Sequence, residues 1–285
     1  MSRFNIKTLH KIVEFNDFIE LQKIVWLLKD YEDCVPNHML MAVSESGGLI
    51  LGCYSGSQMV GCSMIIPAYS QVDGFYHHSH ILGVHPDWQQ KGIGLELKKE
   101  HYTRAKALGV KKVTWTFDPL LGPNANLNVA KIGGIAKQYQ VDVYGDLMGG
   151  SELVSGIPSD RFWLEWLLSE NRVIERMKDL DNSKNHQINQ EIKPVNKVAI
   201  IEKDLQKMDS YSVVNDRDKI FIEIPSDYQK IYDSNKKLAL DWRLKTRDMF
   251  TDYFKAGYSV IDFISLRNNY CRQNFYLLEK IMERN

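Results

Sequence analysis

The chain has 285 residues, 44% of them hydrophobic, enough to bury a substantial core and to form two domains. Its 36 basic and 36 acidic residues cancel, so the charge favours no polyanion and nucleic acid is excluded as an expected partner. Cysteines 34, 53, 62 and 271 form no C-x-x-C pair, the N-terminus has no apolar signal core, and no run of 18 apolar residues occurs. These features argue against a disulfide framework, a zinc knuckle and a membrane partner, and lead to the expectation of a soluble cytoplasmic protein.

In chain order, Phe4 to Leu9 alternates as a short strand. A helix follows from Asn16, with Phe18, Leu21, Val25 and Leu28 on one face. Pro36 to Met41 reads as a connection to a strand from Leu49 to Ser55, and the turn signal Gly56-Ser57 joins it to a second strand ending at Pro67. The next stretch, YHHSHILGVHPDWQQKGIGLEL from Tyr76 to Leu97, organises the rest. Tyr76 to Val84 is a strand placing His78, His80, Leu82 and Val84 on one face by two-residue alternation. His-Pro-Asp ends it, and Gln89, Gln90, Lys91, Gly92, Ile93 and Gly94 lead into a helix. Glycines there let a ligand approach bare backbone, and the N–H groups of the first turn suit a phosphate or pyrophosphate.

A Gly-x-Gly by itself is a weak signal. The dinucleotide fingerprint fails, because Leu97 stands three residues after Gly94 and the motif does not follow the first strand of its domain. The P-loop pattern fails for want of Gly-Lys-Ser/Thr. Beyond the turn, the helix runs to Gly109, and Lys112 to Leu120 is a buried strand ended by Asp118-Pro119. Asn124 to Tyr139 is expected to be helical, with Gly133-Gly134 a point at which it could break, and Val141 to Gly145 and Arg161 to Leu168 are two more strands. Residues 171–218 are charged and Asn-rich, an extended or loosely ordered polar connector in which short strands could occur. Residues 219–285 are then expected to form a strand from Ile220, a long helix from Ser226-Asp227 to Gly257 with Leu238, Trp242, Met249 and Tyr253 buried, and a final hairpin.

A strand ending in Val-x-Pro, followed by Gln-x-x-Gly-x-Gly at a helix start, resembles the acyl-CoA motif of the GNAT acyltransferase superfamily. The resemblance extends over residues 1–170, through HSHILGVHPDWQQKGIGLELK, WTFDPLLGPNANLNVAKIGG, VYG and GIPSDRFWLEW, to a bacterial branch of predicted acetyltransferases. It implies a mixed α/β (α+β) GNAT fold with a smaller C-terminal α+β domain, the latter a lid or assembly element since the CoA motif does not recur. It implies an acetyl-CoA or other acyl-CoA donor, no metal, and a small-molecule amine acceptor acylated by direct transfer, with N-succinylation of amino acids as a narrower inference. A homodimer is left open. The rival class is a non-catalytic CoA-binding or protein-interaction module.

Acyl transfer to an amine needs a base, oxyanion donors and in some enzymes an acid. The resemblance places pantetheine and thioester on the backbone of Leu82, Gly83 and Val84, and pyrophosphate on the N–H groups of Gln90 to Leu95. Relatives hold a carboxylate base on this strand eleven residues before the motif's Gln, which here is His78. His80 shares its predicted face, so either histidine is a candidate base; satisfied structural histidines are the plain alternative. Two such histidines could bind zinc, but further ligands are not visible nearby. The family's acid, a Tyr four residues before a Gly-Phe, is absent: Val129 and Gly134 stand at those positions. Tyr144 and Tyr139 are the nearest substitutes. Asn124 or Asn128 is expected to meet the pantetheine amides or to cap a helix, and Arg161, Arg243 and Arg247 could clamp a carboxylate or form solvated ion pairs.

Overall fold

The computed structural model describes residues 4–145, 156–178, 192–202, 205–213, 216–267 and 272–280. Cys271, the tip of the final hairpin and most of the middle of the polar connector lie outside them. The chain divides into two compact units, the first containing residues up to Trp115 and the second starting at Thr116, with 167–169 returning to the first.

The first unit is a sheet in the order β1-β2-β3-β4-β5: Asn5–Thr8, Leu49–Ser55, Gln58–Ser70, Gly74–Val84 and Lys112–Phe117, the last crossing the division at Trp115. Neighbours are antiparallel except β4 and β5, which run parallel. One face is covered by α1 (Ile12–Trp26) and α2 (Asn37–Glu45), whose Phe15, Phe18, Leu21, Leu40 and Val43 pack with Ile50, Met64 and Ile81. On the other face α3 (Ile93–Ala107) sets Ile93 and Leu97 against Leu51, Cys53, Val60 and Ile65. The two faces follow from the period of the strands, which sends alternate apolar residues to opposite sides. Helix α2 replaces the expected connection after Pro36, because Leu40 and Val43 give it an apolar edge to bury.

The second unit has strands β6 (Ile135–Gln140), β7 (Arg161–Leu167), β10 (Lys219–Ile224), β11 (Tyr258–Arg267) and β12 (Arg272–Lys280), in the order β7-β6-β11-β12-β10. Helix α7 (Lys236–Lys255) packs on β6 and β11, burying Trp242, Met249, Phe250 and Tyr253. Phe162 meets Phe250 edge-on with centroids 4.7 Å apart and Tyr276 at 5.4 Å, an aromatic core. Residues expected as a connector include α5 (Asn171–Lys178) and a hairpin of β8 (Asn196–Glu202) with β9 (Leu205–Tyr211).

Three local expectations are corrected. The helix after Asn124 stops early: α4 (Gly122–Ala125) continues as a wide π-helical turn, Asn126–Lys131, and Ile135–Gln140 is a strand. Gly133 turns left-handed at φ 82°, and a Cβ on Gly134 would lie 2.4 Å from the Leu164 side chain. Arg176 donates to the carbonyls of Val129 and Ala130, and Arg172 to that of Gly133, so the abandoned helix end is satisfied. Val141–Gly145 is a turn rather than a strand, with Asp142 at φ 47° and its carboxylate accepting from Ser159 N at 2.9 Å. The long C-terminal helix is two, α6 (Tyr228–Ser234) and α7, separated at extended Asn235; Asp227 caps the first through Lys230 N and Asn235 the second through Leu238 N.

Candidate functional site

The centre of the first unit is a register change in β4. Met64 of β3 pairs with Ile81 while Ile65 pairs with Ser79, so His80 has no partner residue on β3 and forms a β-bulge. The extra residue reverses which side of the sheet each parity faces. Downstream, Leu82 and Val84 pack with the α3 cluster and Ile81 with the α1–α2 cluster. Upstream, Ser79 pairs with Ile65 of the α3 face and His78 with Ile66 of the α1–α2 face. His78 therefore faces the side opposite Leu82 and Val84, which corrects the single face predicted from unbroken alternation. His80 stays beside His78, their ring centroids 6.3 Å apart.

On its other edge β4 pairs with β5 only at His77–Val113 and His78–Thr114. From Ser79 to Val84, the segment carrying Leu82 and Gly83, its backbone has no register partner on β5. At the end of β4 the chain makes a single 3₁₀ turn at Pro86–Trp88. Gln89 Nε2 donates to the Val84 carbonyl at 3.3 Å and Lys91 Nζ to that of Asp87 at 2.6 Å. Gln90 (φ 59°) and Gly92 (φ 87°) are left-handed, and Gly92 is the N-cap of α3 with no side-chain cap. The N–H groups of Ile93, Gly94 and Leu95 precede the first intrahelical donor, Glu96 N, which bonds to the Gly92 carbonyl. That uncapped turn has the donors and dipole end that a pyrophosphate needs.

His78 is half-buried, and its Nδ1 is engaged by Thr114 Oγ1 at 3.0 Å. Burial foremost, then the charges of His80 and Lys98, holds its pKa below the ordinary histidine value, so it is a neutral base at pH 7. His80 is exposed at its surface, yet the protein around the ring still desolvates it and lowers its pKa. Behind the strand, His77 and His101 are buried and stacked, with Nδ1 of the first 3.1 Å from Nε2 of the second; burial lowers both pKa values. Among the described residues no group of three or more His, Cys, Asp or Glu is placed to hold a metal ion.

Asn124, Asn128 and Tyr144 belong to the second unit. Asn124 is exposed, and no side chain caps α4; Asn128 is buried, with its carbonyl accepting from Gly134 N at 2.9 Å. Tyr144 follows the turn at Asp142, its N–H donated to Ser159 Oγ and its ring 5.2 Å from the Arg161 guanidinium. Tyr139 donates to Asp160 at 2.8 Å, and burial followed by that carboxylate pushes its pKa up, which makes it a poor acid. Arg243 grips buried Asp118 with two hydrogen bonds (2.9 and 2.5 Å), and Arg247 grips Asp160 likewise (2.9 and 2.8 Å). These two arginines clamp carboxylates of the chain itself, and neither pair is the solvated surface contact expected. Arg161 donates to the Asp160 carbonyl and lies 3.6 Å from Asp118.

Sequence reasoning missed the partners behind the histidines: Thr114, Ser79 and above all Lys98. The signal was available, because Lys98 interrupts the buried stripe Ile93, Leu97, His101, Ala105 of α3, where an apolar residue is expected.

Residues 14–126 match the model of the acetyltransferase (GNAT) family. That match places a GNAT acetyltransferase domain at residues 14–126. Solved structures similar to it include the IAA acetyltransferase of Bacillus cereus (16% identity, 57% of this chain and 99% of that one, TM-score 0.43). The ribosomal-protein-S18-alanine N-acetyltransferase of Escherichia coli is 13% identical over 59% of this chain and 95% of its own, with a TM-score of 0.44. A GNAT family acetyltransferase of Elizabethkingia anophelis with acetyl-CoA bound is 15% identical over 59% and 99%, TM-score 0.44. No curated protein matches the chain. The matched residues include most of α1 on one face of the first sheet and all of α3 on the other, and no helix among the described residues is long and apolar enough to cross a membrane.

Proposed function

We propose that the protein is a CoA-dependent N-acyltransferase, transferring an acetyl or succinyl group to the amino group of a small metabolite by direct attack in a ternary complex. The observation that carries this reading is the conjunction, in β4 and α3, of a bulge at His80, backbone without a β5 partner from Ser79 to Val84, and an uncapped helix start at Gly92. Pyrophosphate would lie on the N–H groups of Gln90 to Leu95, and the pantetheine arm along Leu82 to Val84. The amine nitrogen attacks the thioester carbonyl, the C–N bond forms, and the C–S bond breaks with the electron pair leaving on sulfur. His78 or His80, neutral at pH 7, receives the proton released by the attacking ammonium. Thiolate is a tolerable leaving group, so the mechanism assigns no required acid to Tyr144.

Thermal shift against acetyl-CoA, succinyl-CoA and free CoA tests the donor site. A ligand at a hundred times its dissociation constant stabilises by about 2.7 kcal/mol. A larger shift with one acyl form names the donor, and no shift with any of them refutes the reading of Gln89 to Leu95. His78→Ala and His80→Ala then test the base: loss of about 10²–10⁴ in kcat in one of them is expected. Binding of CoA without turnover of any amine would favour the non-catalytic module instead.

A further inference from the structure

Lys98 is 2% exposed in the core between α3 and the sheet. Its Nζ donates to Ser79 Oγ at 3.2 Å and stands 3.5 Å from the centre of the Trp115 ring; no ion pair with a carboxylate is formed among the described residues. An ammonium group desolvated in this way is unfavourable by several kcal/mol unless something compensates it, and one hydroxyl and one aromatic face are weak compensation. A leucine there would pack without that penalty. The placement of Nζ gives the reason. His78–Thr114 is the last pair of β4 and β5, so Ser79 and Trp115 are the first residues beyond the point where the two strands stop pairing, and Ser79 immediately precedes the bulged His80. Lys98 thus touches both strands where they part, and holds β4 at the edge of the bulge.

We propose that Lys98 is a positioning residue: from the α3 side of the sheet, through Ser79, it fixes the β4 bulge and so the placement of the His78–His80 pair on the α1–α2 side. The proposal rests on the reading of that pair as the base. Lys98 is faced by Ser79 of β4 and Trp115 of β5, and its charge reaches His101 along α3 and His78 across the strand, while His77 stacks on His101. His78 is faced by His80 on its own strand, by Thr114 of β5 and by Ile66 of β3. The charge of Lys98 opposes protonation of His78 across the strand, so the two groups are coupled.

The test is a histidine-ring NMR titration of the full chain, which needs no turnover, followed by steady-state kinetics. In Lys98→Met, which removes a buried charge and so keeps the fold, the His78 midpoint should rise by about half a pH unit. With turnover established in the wild type, kcat should fall about tenfold or more while KM for the acyl donor stays unchanged. Lys98→Gln keeps a donor and should recover part of kcat without restoring the midpoint. Ser79→Ala should lower kcat too, and the Lys98→Met/Ser79→Ala double variant should be no slower than Lys98→Met. An unchanged His78 midpoint in Lys98→Met overturns the coupling, and an unchanged kcat overturns the positioning role. A wild type that turns over no amine refutes the proposed activity, whereas the NMR titration still decides whether Lys98 acts on His78.

Discussion

Arg243 in the second unit and Lys98 in the first are both buried, 1% and 2% exposed, yet their surroundings are opposite. Arg243 holds Asp118 in a bidentate pair, with Arg161 3.6 Å from the same carboxylate. Burial alone would raise Asp118, but the guanidinium of Arg243, then Arg161, holds it below the ordinary carboxylate range. Lys98 has a hydroxyl and an indole face instead, and burial lowers its pKa to about 7. The contrast teaches that a buried charge is interpreted by its partner. A fork paired with a carboxylate fixes the packing of its unit, whereas an ammonium without a carboxylate destabilises its unit and points to a role outside stability.

The largest effect expected from breaking this comparison is Asp118→Asn. It leaves Arg243 buried without its carboxylate, a loss of about 3–5 kcal/mol and a fall in Tm on the order of 10 °C, with partial recovery when Arg243→Met is added. Because the folded pKa of Asp118 is depressed, its contribution is present above the unfolded value near ~3.9 and is lost as pH falls through the folded one. Circular dichroism melts of the variant and the wild type should therefore stay apart from pH 7 down to the unfolded value and converge only below it. A variant that melts with the wild type at pH 7 would show that the pair does not carry the unit.

Lys98→Met should act in the other direction. The folded pKa, about 7, lies below the unfolded value near ~10.4, so the folded chain binds fewer protons between those pH values. Stability of the wild type should accordingly rise from pH 7 towards 10, and the penalty is complete below pH 7. The variant should gain about 2–4 kcal/mol at pH 6 in urea unfolding, shrinking to near zero by pH 10. A gain independent of pH would mean that Lys98 is not desolvated. The smallest effect serves as a control without charge: Gly92→Ala meets no atom within 4 Å but must hold φ 87°, a loss of about 1 kcal/mol in the same unfolding measurement. A neutral Gly92→Ala would remove the conformational argument for that glycine.

How much was legible differs along the chain for physical reasons. The strand, turn and helix from Tyr76 to Ala107 could be read directly, since proline, two closely spaced glycines and a run of helix formers restrict the backbone locally. The break at Gly133-Gly134 was visible, but not that a strand follows, because Ile135 to Gln140 gains its ladder only from Arg161–Glu165 and Val260, distant in sequence. The fate of Arg243 and Arg247 was illegible for the same reason: Asp118 and Asp160 lie more than eighty residues away in the chain.

The amino-acid sequence by itself determined the Gly-rich helix start, the histidines of β4, the alternation of its core strands and a fold of mixed α/β type, all consequences of short-range stereochemistry and hydrophobic period. Only the tertiary structure decided where His78 faces and what stands behind it. Alternation through His78, His80, Leu82 and Val84 looks unbroken in one dimension, and the bulge exists only because β3 pairs with β4 one residue short. Pairing between strands, which no local preference encodes, set the register, turned His78 to the opposite face, and left Lys98 at the point where β4 and β5 part.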